Sequence, residues 1–123
     1  MADAISRDLH NDGPNAWLRY FSHSPHFFMA SDGQLVFPNI DTANVFVAQF
    51  AKKIQRVDLI WSDVRVDSLA PGLGVLAASF REIQVGAASV RDTASGYFTG
   101  IVEYSRRGWK LRDAHWSINP PHH

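Results

Sequence analysis

The stretch "GWKLRDAHWS", residues 108–117, sets two tryptophans around one histidine. An imidazole titrates near neutrality, so His115 in such a setting is suited to moving a proton between reacting groups. Arg112, three residues earlier, has the planar fork that clamps a carboxylate through two parallel hydrogen bonds. With the phenol of Tyr104 these make one candidate catalytic set: His115, Arg112 and Tyr104. "DVRVD" is a second constellation, placing Asp63, Arg65 and Asp67 at alternate positions. The pair His23 and His26 in "SHSPHF" lacks a third ligand of the kind a metal site needs, so no metal site is expected. The chain has no cysteine, which excludes a disulfide framework, a thiolate metal site and a cysteine nucleophile.

Whether His115 can act depends on which way it points, because neighbours on a strand face opposite sides. The chain has 123 residues, of which 46% are hydrophobic and 12% aromatic, enough for one globular domain spanning 1–123. Twelve basic residues balance twelve acidic ones, so neither a nucleic-acid nor an anionic-membrane footprint is expected. "MADAISRDLHNDGPN" is polar where a signal peptide is apolar, and no stretch approaches the ~20 apolar residues of a membrane span. A cytoplasmic protein is the default expectation. His122 and His123, after Pro120-Pro121, are compatible with a cloning remnant and carry no weight.

The positioning elements follow from the patterning. "ADAISRDLHN" spaces Ala2, Ile5 and Leu9 as a short helix does; Gly13 ends it and Pro14 suits the opening turn of another, with Trp17, Leu18 and Phe21 on one stripe. "HFFMASDGQLVF" reads as two strands turned at Asp32-Gly33. Asp41 is the expected N-cap of a helix with Ala43, Phe46, Val47, Phe50 and Ile54 on one face and lysines in its last turn. Everything after Gln55 reads as four antiparallel strands. The first sends Ile60, Ser62, Val64 and Val66 one way and Trp61, Asp63, Arg65 and Asp67 the other. The class is α+β, with helices on one face of a curved sheet.

The element order, "WLRYFSHSPHFFM" after the first helix and the closing "GWKLRDAHWS" resemble the SnoaL-like group of the nuclear-transport-factor-2-like superfamily. The closing stretch is also similar to the association domain of calcium/calmodulin-dependent kinase II. The resemblance covers nearly the whole chain. It implies a cone of curved, mixed-order antiparallel sheet capped by N-terminal helices, a cystatin-like α+β barrel. It also implies an apolar cavity inside and a dimer contact on the outer sheet face. Superfamily members include isomerases, cyclases, dehydratases and epoxide hydrolases as well as assembly modules, so fold does not decide function.

Residue by residue, the ketosteroid isomerase machinery has no counterpart. The oxyanion-donating tyrosine falls at Ile5, the carboxylate base at Met29 and the protonated aspartic acid at or beside Gly100, none of which moves a proton. The epoxide hydrolase tyrosine and asparagine fall near Phe27 and Met29, and their last-strand base near Ala114. Asp63, Arg65 and Asp67 look like that family's arginine–aspartate pair but lie one strand early. They read as a solvated or dimer-facing ladder, since unpaired buried charge is costly.

The same register turns Arg112, Ala114 and Trp116 into the cavity and Trp109, Leu111, Asp113 and His115 outward, which makes His115 a structural or interface residue unless a bulge flips the parity. The implied cavity walls are Trp17, Phe27, Met29, Phe50, Ile60 and Phe80, with Phe98, Tyr104 and Trp116, and Ser62 and Arg112 as polar points. The interior is expected to be oily and without a proton-transfer group, and no cofactor is expected. Trp61, Arg65, Ile101, Trp109 and Leu111 are the expected homodimer contact. Three readings stand together: a domain binding an apolar or aromatic small molecule, an enzyme of the same fold with a non-standard catalytic set, and an oligomerisation module with a filled core.

Overall fold

The computed structural model describes residues 1–120; His122 and His123 lie outside the described residues. Helix α1, Ala2–Asp12, buries Ala2, Ile5 and Leu9 on one stripe and ends at Gly13, whose φ of 78° suits a residue without Cβ. Pro14 opens a 3-10 helix, Pro14–Arg19. The hairpin β1, Phe28–Ser31, and β2, Gln34–Phe37, turns at Asp32-Gly33 as expected, both at positive φ. Helix α2, Ile40–Lys53, begins one turn-defining step earlier than expected. Asn39 is its cap, accepting the Thr42 N–H at 2.8 Å through Oδ1, and Asp41 lies within the first turn.

Four long strands follow: β3 (Ile54–Ala70), β4 (Leu73–Gly86), β5 (Arg91–Ser105) and β6 (Gly108–Ile118). The sheet order is β2-β1-β6-β5-β4-β3. All pairs are antiparallel except β1 on β6, because the chain passes through the helices and the hairpin long before β6 arrives beside it. The α+β expectation holds. The sheet is curved but open, with β2 and β3 as free edges, so the barrel does not close. Among the described residues, no helix is long and apolar enough to cross a membrane.

Two bulges decide which way side chains point. In β3, Asp63 adopts φ 53°, and Asp63 and Val64 together face the single step between Ser79 and Ala77 on β4. In β6, Ile101 pairs with Asp113 but Val102 with Leu111, leaving Arg112 as the extra residue. An inserted residue exchanges the faces of everything on one side of it. Val57, Leu59 and Trp61 therefore face the helices, whereas Ile60 and Ser62 face out, reversing the expectation for this half of β3. Past the bulge, Arg65 and Asp67 point outward as expected. Leu111 is fully buried beneath the 3-10 helix instead of on the outer face, while Ala114 and Trp116 point in and His115 out.

Candidate functional site

A chamber of about 240 Å³ opens between the β1–β2 hairpin, α2, the 3-10 helix and the inner face of β4–β6. Its floor is Trp116. The Phe80 ring meets that indole edge-on at 4.9 Å between centroids, Trp17 does so at 5.7 Å, and Phe98 supports it from behind at 4.5 Å. Its Nε1–H donates to the Met29 sulfur at 3.3 Å, so the indole is satisfied and its orientation held. Phe46 and Phe50 of α2 stack at 5.8 Å and close one side, with Phe37 at 5.1 Å from Phe46. Ser31 and Glu82 are the polar side chains of an otherwise apolar lining.

Glu82 is placed by the alternation of β4, where Leu76, Ala78 and Phe80 are buried on the inner face and Glu82 is the next residue on it. Burial among apolar walls pushes its carboxyl above the ordinary range. The Gln84 amide, donating to Oε1 at 2.6 Å, pulls the other way, and the Asp92 charge raises it further. No other charged residue lines the chamber among the described residues. A carboxyl so placed can accept a hydrogen bond, balance a cation or exchange a proton with a bound molecule. The expectation of an interior without a proton-transfer group is thus corrected. Met29, Ile5 and Gly100 do supply none, but Glu82 sits on a different strand from any of them.

Of the expected cavity residues, Trp17, Met29, Phe50, Phe80 and Trp116 come together here. Phe27 and Phe98 are packed behind the walls at 1% and 0% exposure. Four lie elsewhere. Ile60 is 49% exposed on the outer face and Ser62 shares that face, both displaced by the β3 bulge. Tyr104 is exposed at the far end of β5, edge-on to Trp109 at 5.5 Å. Arg112 occupies the β6 bulge, its Nε 3.8 Å from Asp113 Oδ1, and does not line the chamber. The set Tyr104, Arg112 and His115 therefore does not converge on this chamber, and His23 and His26 are exposed in their turn.

The expected dimer contact also divides. Arg65 and Ile101 remain on the outer face, with His115 beside Ile101 in a shallow groove. Trp61 is turned inward, stacked on Trp116 at 6.1 Å and 21°, its Nε1–H donating to the Ala2 carbonyl at 3.0 Å. Trp109 shares the concave face with Val102 and Val66 at the sheet's far end. Glu82 was missed although a signal existed: Phe80 reads as inward, and a residue two places on in an unbroken strand must follow it. Nothing local marked the parity switch, apart from an aspartate at 63 of a type that tolerates φ above zero.

The sequence matches no protein-family model and no curated protein. Solved structures match throughout. A Novosphingobium aromaticivorans protein provisionally called a scytalone dehydratase superposes with a TM-score of 0.79 at 10% identity, over 97% of this chain and 79% of its own. A Streptomyces avermitilis protein provisionally called a dehydratase of the NTF2-like family gives 0.78 at 12%, over 98% and 92%. A Xanthomonas campestris protein provisionally called a calcium/calmodulin-dependent kinase II association domain gives 0.76 at 14%, over 98% and 84%. At such identities the likeness speaks of architecture alone.

Proposed function

The chain has the nuclear-transport-factor-2-like fold, and from that premise we propose that it binds a compact, flat, largely apolar small molecule in the aromatic chamber, with Glu82 as its polar anchor. The observation that carries the reading is the half-open chamber itself, walled by rings and holding one carboxylate. Drug-sized ligands occupy roughly 300–1,000 Å³. A space of about 240 Å³ suits a smaller guest, on the order of ten heavy atoms. The test is titration with toluene, phenol and indole, followed by tryptophan fluorescence and thermal unfolding. Saturable quenching is expected, with stabilisation approaching ~2.7 kcal/mol at a hundredfold excess over Kd. Ala94→Leu, which fills the chamber from β5, should abolish both responses. Absence of saturation with every probe would end this reading.

Catalysis is a second reading, favoured by the same desolvated carboxyl, because burial tunes a glutamic acid toward general acid–base work. Isomerisation, cyclisation or hydrolysis would then depend on Glu82 and not on His115, Arg112 or Tyr104. Turnover of any ketone, epoxide or lactone should fall about 10²–10⁴-fold in Glu82→Gln and stay within a few-fold in His115→Ala. An assembly module with a filled core has less support, since the α2 end is hollow.

The reading includes a homodimer formed through the outer sheet face. Ile60, Tyr97 and Phe28 are each at least two-fifths exposed there, next to Ile101 and Arg65. Sedimentation should give a dimer at tens of micromolar, where a standard-sized contact holds, and Ile101→Glu should yield monomer.

A further inference from the structure

We infer that the chamber's ligand is an organic cation, a primary or substituted ammonium carried on a single aromatic or alkyl frame, with Glu82 as its counter-ion; this rests on the small-molecule reading above. Three features of the chamber point the same way.

The first is unmatched negative charge. Glu82 is the only charged residue of the lining, and no lysine, arginine or histidine of the hairpin, α2, the 3-10 helix or β4–β6 contributes to the wall among the described residues. The carboxylate's partner is a neutral amide, Gln84 Nε2, which donates to Oε1 and so marks that oxygen as an acceptor. Oε2 has no side-chain or backbone donor among the described residues. Glu82 is half-buried, so its second oxygen opens onto the chamber and is free to accept a charge-assisted hydrogen bond from a guest.

The second is the sign of the surroundings. Asp92 on β5 pairs across the sheet with Gln84, on the same face as Ala94 and Glu82. Its charge makes the site more negative still and disfavours anionic guests. The third is the wall. Trp17, Phe80 and Trp116, with Phe46 and Phe50 opposite, present rings whose faces attract cations. Carboxylate and ring faces together select an ammonium over a neutral molecule of the same shape. A carboxylate or phosphate guest is rejected by the same groups.

Benzylamine, benzyl alcohol and benzoate share a frame and differ in charge, so they separate the proposals. Isothermal titration near neutral pH should show benzylamine binding at least about tenfold tighter than benzyl alcohol, as a charge-assisted hydrogen bond implies, and benzoate not binding. Glu82→Gln should erase the amine's advantage, so that benzylamine and benzyl alcohol bind the variant alike. If Glu82→Gln does not fold, the parent protein still decides: the advantage must disappear as pH falls and Glu82 takes up its proton. Among the described residues, Asp92 on β5 is the one other charge acting on it, and α2, the hairpin and the 3-10 helix present no titratable group to the chamber. Equal binding of amine and alcohol overturns the cation inference and leaves the chamber reading standing. An amine preference that survives in Glu82→Gln, or at low pH, overturns Glu82 as the counter-ion. If none of the three compounds binds and the neutral panel also fails, it is the chamber reading that falls.

Discussion

The two ends of the concave face are built on the same strands and finished differently. At the α1 end, Ile5 and Leu9 are at most 1% exposed, and Trp61 is fixed by its bond to the Ala2 carbonyl and its stack on Trp116. Phe98, with no exposed area, packs against both indoles, 5.4 Å from one and 4.5 Å from the other. At the α2 end, helix packing is against the 3-10 helix more than the sheet. Phe46 stays 46% exposed, and a gap remains above Phe80, Glu82 and Ala94. Trp116 is the partition between them. The difference teaches that dense packing and open space have been assigned to opposite halves of one sheet, so that a polar group can be kept in the hollow half without disturbing the packed one.

The contrast is broken most directly at Phe98. Phe98→Ala leaves a cavity among rings that cannot collapse onto it, and should cost about 3–5 kcal/mol in urea unfolding. Phe50→Ala, at the hollow end, removes a ring that is only partly buried and should cost about 1 kcal/mol. Equal losses would mean that the chamber is as tightly packed as the core. Between these lies Tyr20→Phe. The Tyr20 hydroxyl donates to Asp8 Oδ2 at 2.5 Å, tying the 3-10 helix to α1, and its loss should cost about 1–2 kcal/mol. Burial first, and then the Asp8 carboxylate, push the phenol up to about 12. A phenol raised on folding contributes stability that is complete below its unfolded pKa and is lost as pH rises through about 12. Alkaline unfolding of Tyr20→Phe should lack that component.

The elements were readable because each carries its own local cause. Gly13 and Pro14 mark the break between helices, Asp32-Gly33 the hairpin, and the 3.6-residue spacing α2. Trp17, Met29, Phe80 and Trp116 followed from alternation and element order. Ile60, Ser62, Trp61 and Leu111 did not, because alternation carries information only as far as the next bulge. Asp63 and Arg112 reset it without a change in hydrophobic pattern that singles them out. Glu82 was lost for another reason: a charged residue in an apolar alternation reads as an exposed one unless the fold supplies a space for it. The gap beneath α2 comes from helix placement, a tertiary property that no strand's pattern contains.

The smallest predicted effect has the opposite sign from the rest, and bears most on the comparison. Burial raises the Glu82 carboxyl in the folded chain. The stability this group contributes is therefore fully present below the pKa it has when unfolded, about 4. It is lost as pH rises through the folded value, above which the ionised carboxylate works against the fold. Glutamine at this position is neutral throughout and keeps a hydrogen-bonding amide near Gln84. Glu82→Gln should consequently melt above the parent protein at pH 7, with the gap closing toward pH 4. Calorimetric scans across that range decide it. A variant that melts lower at every pH would place Glu82 in a satisfied structural role, and the two halves of the concave face would then differ in packing density alone. A saturating amine should raise the melting point of the parent more than that of the variant, since the cation offsets the cost that glutamine has already removed.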